Sequence, residues 1–226
     1  MLIRSSKRLK DSENLLFLKR LIKNPRSLGA IAPSSKALAH FICRHIDYKE
    51  GDYVIEIGAG TGSFTRAILN SGVPASKLIV VELDKELAQY LRLHFPTIQV
   101  IHGNATVLET LISPQVIGHV QTIVSGIPMV NIPKKIQKEI IDSCFRILGE
   151  GGGILQFTYG PVSPVSAASF GFFAQKLGRV LQNFPPATVW RYTLKPLVDG
   201  QLLKKKRDYM QRLLLKFQKS SRRVIK

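Results

Sequence analysis

One short segment constrains this chain more than any other: an apolar stretch with an acid near its end that runs directly into a glycine-rich turn. Residues 54–65 read VIEIGAGTGSFT, so Glu56 is followed by Gly58, Gly60 and Gly62 at every second position. Glycines in such a turn allow a tight bend and let the backbone approach a ligand closely. The pattern predicts a strand, a ligand-binding loop and a helix, in that order.

A second acid follows another apolar run. Residues 78–81 read LIVV and end in Glu82, about twenty residues beyond the glycines, where a carboxylate suits hydrogen bonds to ribose hydroxyls. Both features fall at the carboxyl ends of predicted strands, which is where open α/β sheets bind ligands.

Short apolar runs alternate with helical stretches from Asp52 onward. This alternation predicts a Rossmann-like α/β fold, with a mostly parallel sheet and helices on both faces. Continuous apolar runs suit strands buried on both faces. The predicted strands are 53–57, 78–81, 99–101, 122–124, 153–158 and 189–192, and the predicted helices are roughly 36–47, 62–71, 84–94, 134–148 and 166–182.

Charge is concentrated at the two ends of the chain. The 226 residues contain 33 Lys and Arg against 15 Asp and Glu, which gives a net charge of +18. Residues 1–26 hold 8 basic and 2 acidic side chains, and residues 204–226 hold 10 and 1. Such ends favour an anionic partner, either nucleic-acid phosphate or a membrane surface, although a solvated tail without a partner is also open. We expect three parts: 1–34, a catalytic domain over 35–196, and a basic tail over 197–226.

Residues 12–23 are predicted to form an amphipathic helix, with Ser12 as a plausible N-cap. A second basic amphipathic helix is predicted within 200–226. No apolar run reaches the roughly 18 residues of a spanning helix, and the N-terminus lacks a signal-peptide pattern. We therefore expect a cytoplasmic protein that lies on a membrane rather than crossing it. The predicted membrane-binding residues are Leu15, Phe17, Leu18, Lys19, Arg20, Leu21, Ile22 and Lys23.

The glycine pattern resembles motif I of class I S-adenosylmethionine-dependent methyltransferases. The element after the third strand reads His102-Gly103-Asn104-Ala105, with Asn104 where that superfamily usually has Asp. The fourth strand ends in the segment Ser125–Met129. Adenine-N6 methyltransferases place Asn or Asp, then Pro, then an aromatic residue in that loop. This chain has Ser125 and Met129 in place of the polar and the aromatic residue, which argues against a flipped adenine as the substrate.

Three further segments resemble bacterial phospholipid N-methyltransferases, which share their general plan with rRNA adenine dimethyltransferases. These segments are 25–35, 125–128 and 156–161, and the resemblance covers most of residues 15–195. It implies methylation of phosphatidylethanolamine towards phosphatidylcholine at the cytoplasmic face of the inner membrane, with an amphipathic N-terminal helix as the anchor.

The resemblance and the motif positions together give a set of predicted site residues. S-adenosylmethionine is expected to contact Glu56, Gly58, Ala59, Gly60, Thr61, Gly62, Glu82, Leu83, Asn104, Ala105 and Ser125. The lipid substrate is expected to contact Arg26, Ser34, Ile127, Tyr159 and Arg191. Tyr159 is the predicted catalytic residue, which would orient the amine or accept its proton.

Other readings stay open at this stage. Tyr159 is equally compatible with a core position, and Arg26 and Arg191 with ordinary surface positions. An RNA methyltransferase and a non-catalytic binding protein of the same fold are the alternatives to a lipid methyltransferase. No Cys/His set has the spacing of metal ligands, and Cys43 and Cys144 are expected to pack as small apolar side chains.

Overall fold

Seven strands of the chain assemble into one sheet. The computed structural model describes residues 36–183 and 185–194. Each strand predicted from an apolar run is present, extended by up to five residues. The strands are β1 Tyr53–Ile57, β2 Leu78–Glu82, β3 Gln99–His102, β4 Val120–Ser125, β5 Leu148–Thr158, β6 Phe173–Val180 and β7 Ala187–Thr193.

The strand order is β3-β2-β1-β4-β5-β7-β6. Strands β3, β2, β1, β4 and β5 are mutually parallel, and β7 lies antiparallel between β5 and β6. After β3 the chain crosses to the other side of β1, where β4 pairs with β1 in parallel. The carboxyl ends of β1 and β4 are therefore neighbours. Such a switch point opens a crevice at the carboxyl edge, and the predicted Rossmann-like fold is confirmed.

Helices cover both faces of the sheet, and the central strands β1, β2 and β4 are accordingly buried along almost their whole length. The helices are α1 Lys36–Cys43, α2 Ser63–Asn70, α3 Lys85–His94, α4 Leu108–Leu111, α5 Lys134–Ile147 and α6 Ala167–Phe170. On one face, Val54, Val80 and Val124 pack with the buried side chains of α1, α2 and α3. On the other face, Ile55 and Ile123 pack with α5. All five residues of β2 are buried, as continuous apolar runs in parallel strands predict.

The predicted helix over 166–182 is wrong. Only Ala167–Phe170 is helical, and Gly171, at φ +76°, ends this helix after one turn. The chain then forms the edge strand β6, whose backbone groups pair with β7 from Phe173 opposite Thr193 to Val180 opposite Ala187. Hydrogen bonding to β7, a strand that lies later in the chain, outweighs the helical preference of the local sequence.

Several predictions lie outside the described residues: the helices within 12–23 and 200–226, the membrane-binding residues 15–23, and the substrate residues Arg26 and Ser34. The proposed division into three parts also stays a prediction. Within 36–183 and 185–194, no helix has the length and apolar character needed to span a bilayer.

Replacing Gly178 by Ala tests the corrected strand. In a helix this change would stabilise the protein by about 1 kcal/mol. In β6, the added Cβ would lie 2.6 Å from the ring of Phe41 on α1, so we expect Gly178→Ala to destabilise by about 1–3 kcal/mol in urea unfolding. Adding Phe41→Leu should restore most of the lost free energy of unfolding, because the smaller side chain makes room for the new Cβ. A Gly178→Ala variant more stable than the wild type would contradict the assignment of residues 173–180 to a strand.

Candidate active site

The loop after β1 is a backbone cradle made by three glycines. Gly58, Gly60 and Gly62 have φ values of +70°, +57° and +82°, which side chains other than glycine rarely adopt. A Cβ on Gly62 would lie 2.5 Å from the ring of Phe95, so the loop also packs tightly against the residue that follows α3. At Gly60, by contrast, no heavy atom lies within 4 Å of a Cβ position. The backbone of Gly60 therefore faces open space.

Glu82 at the end of β2 points its carboxylate at this loop. One oxygen accepts the N–H of Gly60 at 2.9 Å and the other accepts the N–H of Asp84 at 3.0 Å. Burial raises the pKa of the Glu82 carboxyl, while the backbone N–H groups of Asp84, Gly60 and Leu83 act in the opposite direction. The two carboxylate oxygens together can accept about four hydrogen bonds, so these three N–H groups leave one acceptor position for a hydroxyl donor.

Glu56 has a different environment from Glu82. Its side chain is completely buried, and one oxygen accepts the hydroxyl of Thr65 in α2 at 2.6 Å. Burial, above all, raises the pKa of Glu56 to about 8, with a smaller contribution from the charge of Glu82. This hydrogen bond connects α2, the helix that follows the glycine loop, to β1. Direct contact between Glu56 and a cofactor stays a prediction.

The residues after β3 form a short turn beside the end of β2, where the N–H of Gly103 donates to the carbonyl of Glu82. The Asn104 amide oxygen caps the 3₁₀ helix Ala105–Val107 by accepting the N–H of Thr106 at 3.1 Å. That oxygen has a second lone pair, which is free to accept an amino group. Ala105 is buried, and Leu83 packs against the core on the same face of the sheet.

The loop after β4 touches the glycine loop through its backbone. A Cβ on Gly126 would lie 2.4 Å from the carbonyl oxygen of Gly58, and a Cβ on Gly58 would lie 2.8 Å from Ile127. Only glycine at both positions permits this approach. Ser125, directly before this contact, is fully buried, and its hydroxyl has no partner among the residues described.

Two glutamines fasten the loop after β4. The Gln156 amide, on β5, donates to the carbonyl of Ile127 at 3.1 Å, and the Gln137 amide, on α5, donates to the carbonyls of Met129 at 2.6 Å and Ile132 at 3.1 Å. Neither glutamine was predicted from the sequence to hold this loop. Gln156 could have been noticed, because it is a polar residue within an otherwise apolar strand. Gln137 could not, because nothing in the helical pattern distinguishes it.

A pocket of about 880 Å³ opens beside this loop, beyond the carboxyl ends of β4 and β5. Its lining is mainly apolar, and Lys134 and Gln137 are among its few polar side chains. The apolar lining comes chiefly from Ile127, Pro128, Met129, Val130, Phe157, Pro161, Val162, Val165 and Phe170. Val130 and Val162 are 66% and 70% exposed, so the rim of the pocket is apolar as well.

Tyr159 lines the same pocket and is half-buried. Its ring meets that of Phe157 edge to face, with centroids 5.7 Å apart. Burial raises the pKa of the Tyr159 hydroxyl, although a hydrogen bond to Asn183 opposes the shift. A raised pKa disfavours the phenolate, so Tyr159 is poorly suited to accept a proton at neutral pH and better suited to orient a donor.

Arg191 does not reach the pocket. It stands on β7 opposite Leu155, and its guanidinium pairs with Asp47, in the segment that precedes β1 at the opposite edge of the sheet. Because β7 is antiparallel to β5, the residues of β7 nearest the pocket are those at its beginning. The structure thus gives Arg191 a structural ion pair and does not bring it together with Tyr159 and Ile127.

Within the described part of the chain, no group of three or more His, Cys, Asp and Glu side chains is arranged to hold a metal ion. Cys144 is fully buried, and Cys43 is partly buried. Burial raises the pKa of the Cys43 thiol to about 11, so it stays protonated at neutral pH.

Solved structures share this fold. An S-adenosylmethionine-dependent O-methyltransferase of Thermotoga maritima superposes with a TM-score of 0.55 at 15% identity, covering 78% of this chain and 72% of that one. A TehB-like S-adenosylmethionine-dependent methyltransferase of Corynebacterium glutamicum gives a TM-score of 0.52 at 16% identity, covering 82% of this chain and 100% of that one. At such identities, the likeness establishes the fold alone.

Sequence comparison is more specific. The family model of the ribosomal RNA adenine dimethylases matches residues 30–159, from before α1 to Tyr159. The chain belongs to this family. Together with the motif geometry and the related proteins, this makes it an S-adenosylmethionine-dependent methyltransferase.

Relatives of this methyltransferase fall into two groups. The ornithine lipid N-methyltransferase of Singulisphaera acidiphila is 30% identical over 149 residues, which are 65% of this chain and 78% of that protein. Ribosomal RNA small subunit methyltransferase A of Hydrogenobaculum sp. is 33% identical over 89 residues, which are 39% of this chain and 34% of that protein.

The residues at the carboxyl edge fit S-adenosylmethionine. The open space over Gly60 admits a ligand against the backbone, and Glu82 retains an acceptor position beside it. The residues placed to hold the cofactor are Glu82, Asn104 and the loop from Gly58 to Gly62, and when bound it supplies a methyl group from its sulfonium.

Removing the Glu82 carboxylate tests this placement. A hydrogen bond to a charged group is worth about 1.5–3 kcal/mol, so Glu82→Ala should weaken S-adenosylmethionine binding by roughly ten- to hundredfold in calorimetry. Glu82→Gln keeps one acceptor oxygen and should lose less. Glu139→Gln on α5 serves as the control, and an unchanged affinity in Glu82→Ala would remove Glu82 from the cofactor site.

The buried Glu56 predicts a pH-dependent stability. Its folded-state pKa of about 8 lies above the ordinary 4.5, so the folded protein keeps a proton that the unfolded chain has lost between these values. The free energy of unfolding should therefore fall as pH rises through that window, by at most about 1.4 kcal/mol per pH unit. In urea unfolding, the free energy of unfolding of Glu56→Gln should depend less on pH than that of the wild type. Parallel pH profiles of the two proteins would contradict a protonated, neutral Glu56 in the folded state.

Proposed function

We propose that this methyltransferase N-methylates the amino headgroup of a membrane lipid, with phosphatidylethanolamine as the first candidate. The observation that supports this most is the pocket beside the cofactor loop. At about 880 Å³ it is larger than an ethanolamine group requires, and its apolar lining suits the glycerol and acyl portions of a lipid. The ornithine lipid N-methyltransferase of S. acidiphila, which aligns with 65% of this chain, is named for an amino lipid.

The loop after β4 argues in the same direction. It contributes no aromatic ring to the pocket, and Met129, which occupies the aromatic position of adenine methyltransferases, is only 1% exposed. A flipped base would find no stacking partner on this loop. The match to ribosomal RNA methyltransferases nevertheless keeps RNA as the second candidate substrate.

The chain's own residues then have distinct tasks in the proposed reaction. The acceptor amine must be neutral for attack on a sulfonium carbon, so the ammonium proton has to pass to solvent before the headgroup enters the pocket. Tyr159, with its raised pKa, holds the amine by hydrogen bonding and does not serve as the base. The packed walls of the pocket exclude water and position the amine, and these effects lower the barrier without creating new charge.

The proposed setting is the cytoplasmic face of the inner membrane. A bilayer would cover the exposed Val130 and Val162 at the pocket rim, since exposed apolar residues next to a binding site mark interaction surfaces. The basic amphipathic segment over residues 12–23 is proposed as an additional anchor.

Acceptor identity is tested directly with labelled S-adenosylmethionine. The full chain is incubated separately with phosphatidylethanolamine vesicles, ornithine-lipid vesicles and small-subunit ribosomal RNA, at a cofactor concentration near the wild-type Kd, with Glu82→Ala as the control of weakened cofactor binding. We expect label in phosphatidylethanolamine. Label confined to RNA would overturn the lipid proposal, and label in ornithine lipid alone would change the acceptor while retaining the lipid class.

Tyr159→Phe tests the orienting hydroxyl. Loss of one neutral hydrogen bond costs about 0.5–1.5 kcal/mol, so kcat/KM for the lipid should fall by roughly two- to twelvefold while the affinity for S-adenosylmethionine stays unchanged. Tyr90→Phe, on the exposed side of α3, is the matched control. Unchanged kinetics in Tyr159→Phe would leave this residue with a packing role only.

A further inference from the structure

A second concave surface lies on the other side of the cofactor loop, between α1 and α2. This groove has a volume of about 820 Å³. Its basic and polar lining includes Lys36, His40, Arg44, Ser63, Arg66 and Asn70, and no Asp or Glu lines it. Lys36, His40 and Arg44 recur every four residues along one wall, which spans about 12 Å at the helical rise of 1.5 Å per residue.

Among the residues that the structure describes, the cations of this groove have no anionic partner. None of Lys36, Arg44 and Arg66 forms an ion pair among the residues that the structure describes. The Arg44 guanidinium lies 5.4 Å from the ring centroid of Phe41, and that of Arg66 lies 5.5 Å from the ring centroid of Phe95. The aromatic faces hold both guanidinium groups in place and leave their N–H donors available.

We infer that the groove between α1 and α2 binds the phosphate of an anionic phospholipid, separately from the methyl-accepting lipid. Arginine guanidinium groups match phosphate oxygens in geometry as well as charge. Ser63 is the first residue of α2 and directly follows the glycine loop, so the end of the groove near Lys36 and Ser63 opens at the carboxyl edge of the sheet. The acceptor pocket opens at that same edge.

A bilayer fits this arrangement better than RNA does. With its carboxyl edge against a membrane, the protein presents a cationic groove to headgroup phosphates and the apolar side chains of Val130 and Val162 to the acyl region. RNA would neutralise the groove but would offer no apolar partner to the valines. The choice of lipid over RNA rests on the proposed function, whereas the anion site itself rests on the groove.

The experiment compares two double variants of the full chain. Arg44→Gln with Arg66→Gln removes two groove cations. Lys49→Gln with Lys176→Gln removes the same charge from exposed positions outside the groove and is the matched control. Binding is measured by co-sedimentation with phosphatidylcholine vesicles, with and without phosphatidylglycerol, and circular dichroism and S-adenosylmethionine affinity confirm folding.

We expect the groove variant to lose about thirtyfold in affinity for the phosphatidylglycerol vesicles, since each basic residue at an anionic surface contributes about 1 kcal/mol. The control should lose far less, and Arg44→Lys with Arg66→Lys, which keeps the charge but not the guanidinium geometry, should lose an intermediate amount. Equal losses in the groove and control variants would show a general charge effect and overturn the inference. Should the double variant fail to fold, Lys36→Gln applies the same test with a smaller expected loss.

Two further measurements distinguish the phosphate of a lipid from free phosphate and from the phosphates of RNA. Inorganic phosphate at matched ionic strength should not displace the vesicles, and displacement would identify the free anion as the ligand. A single-stranded RNA oligonucleotide is titrated in parallel; loss of RNA binding with vesicle binding retained would overturn the lipid assignment. Because these measurements involve no methyl transfer, they stand whether or not phosphatidylethanolamine proves to be the acceptor.

Discussion

The contact between the backbones of Gly58 and Gly126 sets the geometry of the whole site. The Gly58 carbonyl lies where a Cβ on Gly126 would stand, so any larger residue would push the loops after β1 and β4 apart. In the proposed reaction the first loop holds the cofactor and the second borders the acceptor pocket. The separation of the loops would then set the distance between methyl donor and acceptor, to which methyl transfer is sensitive. Gln137 and Gln156 hold the second loop in place from two neighbouring elements.

Two carboxyl groups near the ends of adjacent strands have different tasks because their surroundings differ. Glu82 meets backbone N–H groups of the cofactor loop and keeps acceptor capacity there. Glu56 lies beneath the loop, bonded to Thr65 and largely removed from water, and its pKa is raised to about 8. Both carboxyl groups are buried, and their partners distinguish them: Glu56 bonds to a side chain of α2, whereas Glu82 bonds to the backbone of the cofactor loop.

The carboxyl edge of the sheet combines an apolar pocket with a basic groove, on opposite sides of the cofactor loop. The relatives of this chain include enzymes named for ribosomal RNA and one named for an amino lipid, so sequence likeness alone does not fix the acceptor. The pocket lining and the charged surfaces around it decide which acceptor arrives.

The sequence by itself determined the class of fold, the position of the cofactor loop and the acid at the end of β2. These follow from local signals: apolar runs, glycine spacing and an acid in register with a strand end. The tertiary structure decided what depends on contacts between distant segments. Residues 173–180 form a strand because β7 offers them hydrogen-bond partners, and Arg191 is drawn to Asp47 and away from the pocket. Different hydrogen-bond partners distinguish Glu56 from Glu82, and Gln137 reaches the loop after β4 only once α5 has packed, so no spacing in the chain reports either.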